Sequence, residues 1–189
     1  MKRIAVYCGA STGNDRIFEN ITADLGYWLV DNQYELVYGG GKFGLMGVIA
    51  ESVMEHGGTV WGVIPEELRN REAAFNEVTH LKVVANMSIR KRTMLEMADG
   101  CIALPGGPGT LEEIAEAFSW AVIGDNHNPC VFYNVDHYYD PLRDMFDEMA
   151  NRAFLAQESR DKLLFSDSLT EIKHFMENYE PPKIRTYHK

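Results

Sequence analysis

Long apolar runs are absent from this 189-residue sequence. The longest are strand-sized, well short of the ~20 residues that a membrane span needs. Cysteine is scarce. Cys8, Cys101 and Cys130 are an odd number without metal-ligand spacing, which excludes a disulfide framework and a zinc site. Two of them lie in apolar, strand-like stretches, as buried thiols do in a reducing compartment, so a cytoplasmic location is expected. Basic residues are the minority, 18 against 28 acidic, for a net charge of −10. That balance excludes a general affinity for nucleic acid or anionic membranes. Any anion this chain binds must be held by a local site. Repeats and low-complexity tracts are lacking. So is a Walker A loop: Gly41-Lys42 has no glycine five residues earlier and is followed by Phe43. The six histidines show no metal spacing, and no metal is expected.

What remains is an ordinary globular composition, 46% hydrophobic and 24% charged, at the length of one domain. The domain is expected over 1–180, with Pro181-Pro182 opening a polar tail over 181–189. The opening Met-Lys-Arg-Ile-Ala-Val-Tyr-Cys has too short an apolar stretch for a signal peptide and predicts a first strand over 3–8. A helix is predicted from about Asp15, with Ile17, Ile21, Leu25 and Leu29 on one face. Strand Glu35–Tyr38, helix Gly44–His56 and strand Thr59–Ile64 follow, and 66–78 is predicted as a loop or short mobile helix. Strand His80–Ala85, a helix Ser88–Asp99, strand Cys101–Leu104 and a helix to about Ile123 come next. Strand Cys130–Tyr133, a helix near 141–152, strand Leu163–Phe165 and a helix over 169–179 complete the series. Alternation of this kind predicts a single Rossmann-like, three-layer α/β domain, its mainly parallel sheet covered by helices on both faces.

Ligands of such sheets bind beyond the carboxyl ends of the strands. Three strands end there in glycine-rich turns: Gly9–Gly13, Gly39–Gly44 and Pro105–Thr110. The Gly39-x-Gly41-x-x-Gly44 spacing fits either a dinucleotide fingerprint or a tight turn with close helix–strand packing. In the third turn Gly106, Gly107 and Gly109 open the backbone to a phosphate and Pro108 stiffens it. Thr110 is placed to cap the next helix and to touch a phosphate oxygen. Glu112 and Glu113 then fall in the first helical turn, as ordinary helix-start acids or as carboxylates with chemical work beside a bound phosphate. The oddest feature is Arg90-Lys91-Arg92. With Ser88 as N-cap, three cations crowd a helix start where the dipole disfavours each by about 0.3–1 kcal/mol. They form either a solvated surface cluster or part of an anion site.

These motifs together resemble the Lonely Guy (LOG) family, the cytokinin riboside 5′-monophosphate phosphoribohydrolases often mislabelled as lysine decarboxylases. The family's Pro-Gly-Gly-x-Gly-Thr-x-x-Glu stands as Pro105–Glu113, its Arg-Lys pair after a methionine as Met87–Lys91, and its Tyr-Gly-Gly-Gly stretch as Tyr38–Gly47. Gly62–Pro65, Cys8–Ser11 and Asn134–Tyr139 also match. The resemblance implies hydrolysis of an adenosine-type 5′-monophosphate, N6-modified or plain, to free base and ribose 5-phosphate, with no cofactor. It implies a homodimer. It assigns Arg90 and Glu113 as the catalytic pair. Substrate contacts are implied for Glu72, Arg90, Lys91, Gly106, Gly107, Pro108, Gly109, Thr110, Leu111, Glu112, Glu113 and Ser119. Lys42 and Pro108 depart from residues common in the family, and both bear on base specificity more than on reaction type.

The chemistry agrees with this assignment. Cleaving an N-glycosidic bond builds positive charge on the ribose, which a nearby carboxylate stabilises while it or a neighbour positions water. Lysine decarboxylation would need a pyridoxal-phosphate lysine, and no local context singles one out. Two alternatives share the crevice. A non-catalytic nucleotide or cofactor carrier has no need of a carboxylate beside the phosphate, and an NAD-linked oxidoreductase rests on the Gly39–Gly44 spacing alone.

Overall fold

Among the residues that the computed structural model describes, 2–71 and 73–184, seven strands alternate with eight helices. They run β1 (Arg3–Tyr7), α1 (Arg16–Asp31), β2 (Glu35–Tyr38), α2 (Gly44–Glu55), β3 (Val60–Pro65), α3 (Glu66–Asn70) and β4 (His80–Val84). Then come α4 (Met87–Met97), β5 (Gly100–Ala103), α5 (Pro108–Ile123), β6 (Cys130–Tyr133), α6 (Asp140–Asn151), α7 (Gln157–Arg160), β7 (Leu163–Ser166) and α8 (Leu169–Glu177). The strands form one sheet in the order β4-β3-β2-β1-β5-β6-β7, and every pairing is parallel. Strand order reverses between β1 and β5, the switch point at which open α/β sheets hold their ligands. Tyr7 lies opposite Ala103, so the two strands end level and their glycine turns meet.

Period-two alternation divides the core. Ile4, Val6, Ile102 and Leu104 face α1, α2 and α8, whereas Ala5, Tyr7, Cys101 and Ala103 face α4, α5 and α6. Central strands buried on both faces have no polar face to show, which is why β1, β2, β5 and β6 are nearly all apolar. All three cysteines are buried. No helix among the described residues is long and apolar enough to cross a membrane.

Helix boundaries moved where two cap residues competed. Asp15 caps α1 through a 2.9 Å bond from Ile17 N–H, as its position suggested. In α4 the cap is Asn86, accepting from Ile89 N–H at 3.0 Å, and not Ser88. Arg90, Lys91 and Arg92 therefore sit in the second turn, beyond the strongest reach of the dipole. In α5 the cap is Gly107, with Pro108 at the first helical position that proline favours. Thr110 is inside the helix and caps nothing, and Glu112 and Glu113 lie in the second turn. The 66–78 segment contains the short α3, while α7 and a 3₁₀ turn at Val135–His137 add elements with no apolar period long enough to announce them. No further helix or strand follows α8 among the described residues, and 185–189 of the expected tail fall outside them.

Candidate active site

The Pro105–Thr110 turn is stapled from behind by two tyrosines. Tyr139 donates its hydroxyl to Leu104 O at 2.6 Å, and Tyr138 donates to Gly106 O at 2.7 Å. Asn134 sets up this pair: its side-chain oxygen accepts from Tyr139 N–H at 2.6 Å, and its amide donates to Asp140 at 2.7 Å. Gly9 N–H ties the first glycine turn to Pro105 O at 3.2 Å. A Cβ at Gly106 would overlap the Thr110 hydroxyl, so glycine there is a packing requirement. Gly44 answers the question left by its spacing. It has φ +62°, and a Cβ there would overlap the backbone of Ala10, as close packing of α2 against the first turn demands.

At the start of α5 no side chain caps the helix, and the Gly109 and Thr110 N–H groups meet no acceptor among the described residues. Thr110 is 4% exposed, yet its hydroxyl also makes no hydrogen bond among them. An unpaired, solvent-accessible hydroxyl beside two free N–H groups and a helix dipole is an arrangement suited to an anion.

One turn deeper lies a buried ion pair. Arg90 from α4 is 6% exposed and Glu113 from α5 is 9% exposed, and Arg90 Nη1 donates to Glu113 Oε1. Arg90 Nε donates to the Val63 carbonyl within β3, at 3.0 Å. Nη2 makes no hydrogen bond to the described residues and lies against Gly39. Burial raises the Glu113 carboxyl above the ordinary carboxylate range, and Arg90 opposes that shift without cancelling it. Both side chains open on a cleft of about 320 Å³, whose lining includes Tyr7, Cys8, Gly39, Met46, Met87 and the Gly107–Thr110 backbone. Across the Pro105–Gly107 segment a second cavity of about 260 Å³ is lined by Ser11, Thr12, Asn14, Gly106 and Tyr138. Larger cavities open elsewhere, of about 430, 590 and 660 Å³, but none is lined by a buried ion pair.

Of the residues singled out from sequence, Arg90, Gly107, Pro108, Gly109, Thr110, Glu112 and Glu113 line the cleft, and Gly106 lines its neighbour. Lys91 does not line it. Its ammonium is held outside by Glu112 at 2.7 Å and Glu116 at 2.8 Å, bonds that raise its pKa. Leu111 is 40% exposed. Ser119 is exposed six residues beyond Glu113, about 9 Å farther along the helix, and does not line the cleft. Glu72 lies outside the described residues. Tyr7 and Cys8 were missed as lining residues, although their place at the carboxyl end of the first strand, just before a glycine turn, was signal enough.

An all-parallel sheet with an uncapped helix start and a buried Arg–Glu pair at its switch point defines a Rossmann-like α/β protein. The family model described as possible lysine decarboxylase matches residues 46–176. The chain belongs to this family, the Lonely Guy family of the sequence resemblance. It is 41% identical over 177 residues to a probable cytokinin riboside 5′-monophosphate phosphoribohydrolase of Oryza sativa subsp. japonica, covering 94% of this chain and 79% of that relative. It is 40% identical over 180 residues to a cytokinin riboside 5′-monophosphate phosphoribohydrolase of Arabidopsis thaliana, covering 95% and 84%. Among solved structures, the molybdenum cofactor carrier protein of Chlamydomonas reinhardtii shares the fold with a TM-score of 0.71 at 19% identity, covering 94% of this chain and 99% of that one.

Proposed function

We propose that this protein hydrolyses the N-glycosidic bond of adenosine-type nucleoside 5′-monophosphates, releasing the free base and ribose 5-phosphate. The observation that carries the reading is Glu113, a carboxylate buried against Arg90 one turn from the uncapped start of α5. The relatives named as phosphoribohydrolases support the same reaction. The phosphate binds the Gly109 and Thr110 N–H groups and the Thr110 hydroxyl, which places the ribose toward Glu113. As the C1′–N bond breaks, its electron pair leaves with the base and positive charge grows on the ribose, facing the carboxylate. Water adds its oxygen to C1′, Glu113 takes up the proton that water loses, and that proton passes on to the departing base, leaving Glu113 ionised again. Arg90 holds Glu113 in place and keeps Nη2 free for the substrate.

A carrier would bind the same ligand, and the carrier neighbours share this fold. A non-catalytic site has no use for a carboxylate held buried beside a bound anion, so the hydrolase is favoured. Decarboxylation through a Schiff base is disfavoured by Lys91, whose two carboxylate partners raise its pKa when a nucleophilic lysine needs it lowered. The exposed Met87, Ile89 and Leu111 beside the cleft are the apolar surface for a homodimer, and cytoplasmic placement agrees with the three buried thiols.

The test is release of free base from AMP and adenosine at matched concentrations. Two or three charge-assisted hydrogen bonds to phosphate, at about 1.5–3 kcal/mol each, are partly offset by ordering and desolvation. The expected net result is a loss of about 10³-fold or more without the phosphate, in kcat as well as KM. Comparable rates would remove the phosphate assignment and point to a nucleoside hydrolase.

A further inference from the structure

Arg90 is fixed on three sides, and the third is the one without a bond. Nε is spent on Val63 O and Nη1 on Glu113, while Nη2 lies over the Cα of Gly39, where the chain leaves β2. A Cβ at position 39 would overlap Nη2, stand 3.1 Å from Cζ and press Met46 Sδ at 3.0 Å. Gly39 is outside the left-handed region, so an alanine is conformationally allowed there. Only space is contested. The backbone at this point belongs to a buried β2–α2 junction, whereas the guanidinium is the end of a side chain, so the guanidinium is the part that yields.

We propose that Gly39 is a positioning residue for the reaction: its missing side chain is the slot that lets Arg90 lie against Glu113 with one edge open to the cleft. The proposal rests on the hydrolase reading above for its catalytic consequence and on geometry alone for the contact. Any side chain at 39 moves the guanidinium from Glu113, and a misplacement of about 1 Å in a catalytic array costs on the order of 10²-fold. The glycines at 40 and 44 have positive φ and serve the backbone, while Gly39 serves a side chain 51 positions away in the sequence.

The experiment is Gly39→Ala, alone and combined with Arg90→Met, assayed for AMP turnover and AMP binding, with a crystal structure of the single variant. The expected single variant is folded, with melting lowered by no more than in Arg90→Ala, kcat lower by about 100-fold and KM changed less. Its acid limb of kcat/KM moves to higher pH, because Glu113 loses Arg90 while Lys91, Glu112, Tyr7 and Cys8 still face it. In the Arg90→Met background, Gly39→Ala adds no further loss of turnover or AMP affinity. Unchanged kcat, or losses that multiply in the double variant, would overturn the proposal. If wild type cleaves no 5′-monophosphate, the hydrolase reading fails by itself, and the crystal structure still decides the contact. A guanidinium parted from Glu113 upholds it, and an undisturbed pair refutes it.

Discussion

Two sets of charges join α4 to α5 from adjacent residues, and they differ in nearly everything but charge. Arg90 meets Glu113 with both side chains under a tenth exposed, at the floor of the cleft. Lys91, the next residue, is itself 12% exposed but meets Glu112 and Glu116, whose side chains are 59% and 29% exposed, at the rim of the same two helices. One helical step of about 100° carries the cation from floor to rim. Its carboxylate partners reach solvent, so this set is screened and adds little to stability. In the buried pair, desolvation of Glu113 outweighs the attraction of Arg90, so it is weak evidence for stability and stronger evidence for function. Burial of both partners, more than charge, separates the two sets.

Breaking the buried pair has the largest expected effect. Arg90→Ala leaves Glu113 desolvated without its cation, which costs about 3–5 kcal/mol where the carboxylate stays ionised. Proton uptake by Glu113 holds the cost toward the lower end. Turnover of AMP should fall by about 10²–10⁴-fold. Urea unfolding and kcat/KM check both, and a variant matching wild type in each would return Arg90 to the class of Lys91.

Titration separates the pairs next. Catalysis needs Glu113 ionised, so kcat/KM should fall as pH drops through its pKa, at a limb above the ordinary glutamate value of about 4.3. For stability the sign is opposite. A carboxyl whose folded pKa is raised contributes fully below its unfolded value, and that contribution is lost as pH rises through the folded one. A pH profile of activity that is flat down to the ordinary carboxylate range would contradict the burial assigned to Glu113. The smallest effect belongs to Lys91→Ala: about 1 kcal/mol or less in stability, and kcat within a few-fold of wild type. A 100-fold loss of kcat there would move Lys91 into the substrate site and dissolve the contrast with Arg90.

Much of this was legible in order and composition. Alternating apolar strands and amphipathic helices define the doubly wound sheet because each crossover must bury one stripe, and the long elements fell within a few residues of their expected bounds. Arg90 was singled out for a reason that did not survive. The cation cluster seemed crowded against the dipole only while Ser88 was the cap, and Asn86, an equally good cap, starts the helix two residues earlier. What marks Arg90 is burial, and burial depends on Val63 and Gly39, which reach it across the sheet from far along the chain. Thr110 was placed at the phosphate for its capping hydroxyl, but that hydroxyl is available because Gly107 is the cap. Ser119, a position carried over by resemblance, lies on an exposed face of α5 six residues beyond Glu113, and its place outside the cleft has no local sequence signature. The Asn134–Tyr139 stretch was recognisable only as familial, because hydrogen bonds from Tyr138 and Tyr139 to Gly106 and Leu104 have no local sequence signature.

The central claim is that the buried carboxylate of Glu113 faces the cation that forms as the base departs. Glu113→Gln keeps the shape of the side chain and a hydrogen-bond acceptor for Arg90 while removing the negative charge. The most direct measurement is the rate of base release from AMP by this variant beside wild type, with AMP affinity measured on the same preparations. The account predicts a fall of about 10²–10⁴-fold in kcat with AMP still bound. Equal turnover by the glutamine variant would contradict it, leaving Glu113 a structural partner of Arg90 and the chemistry to another carboxylate.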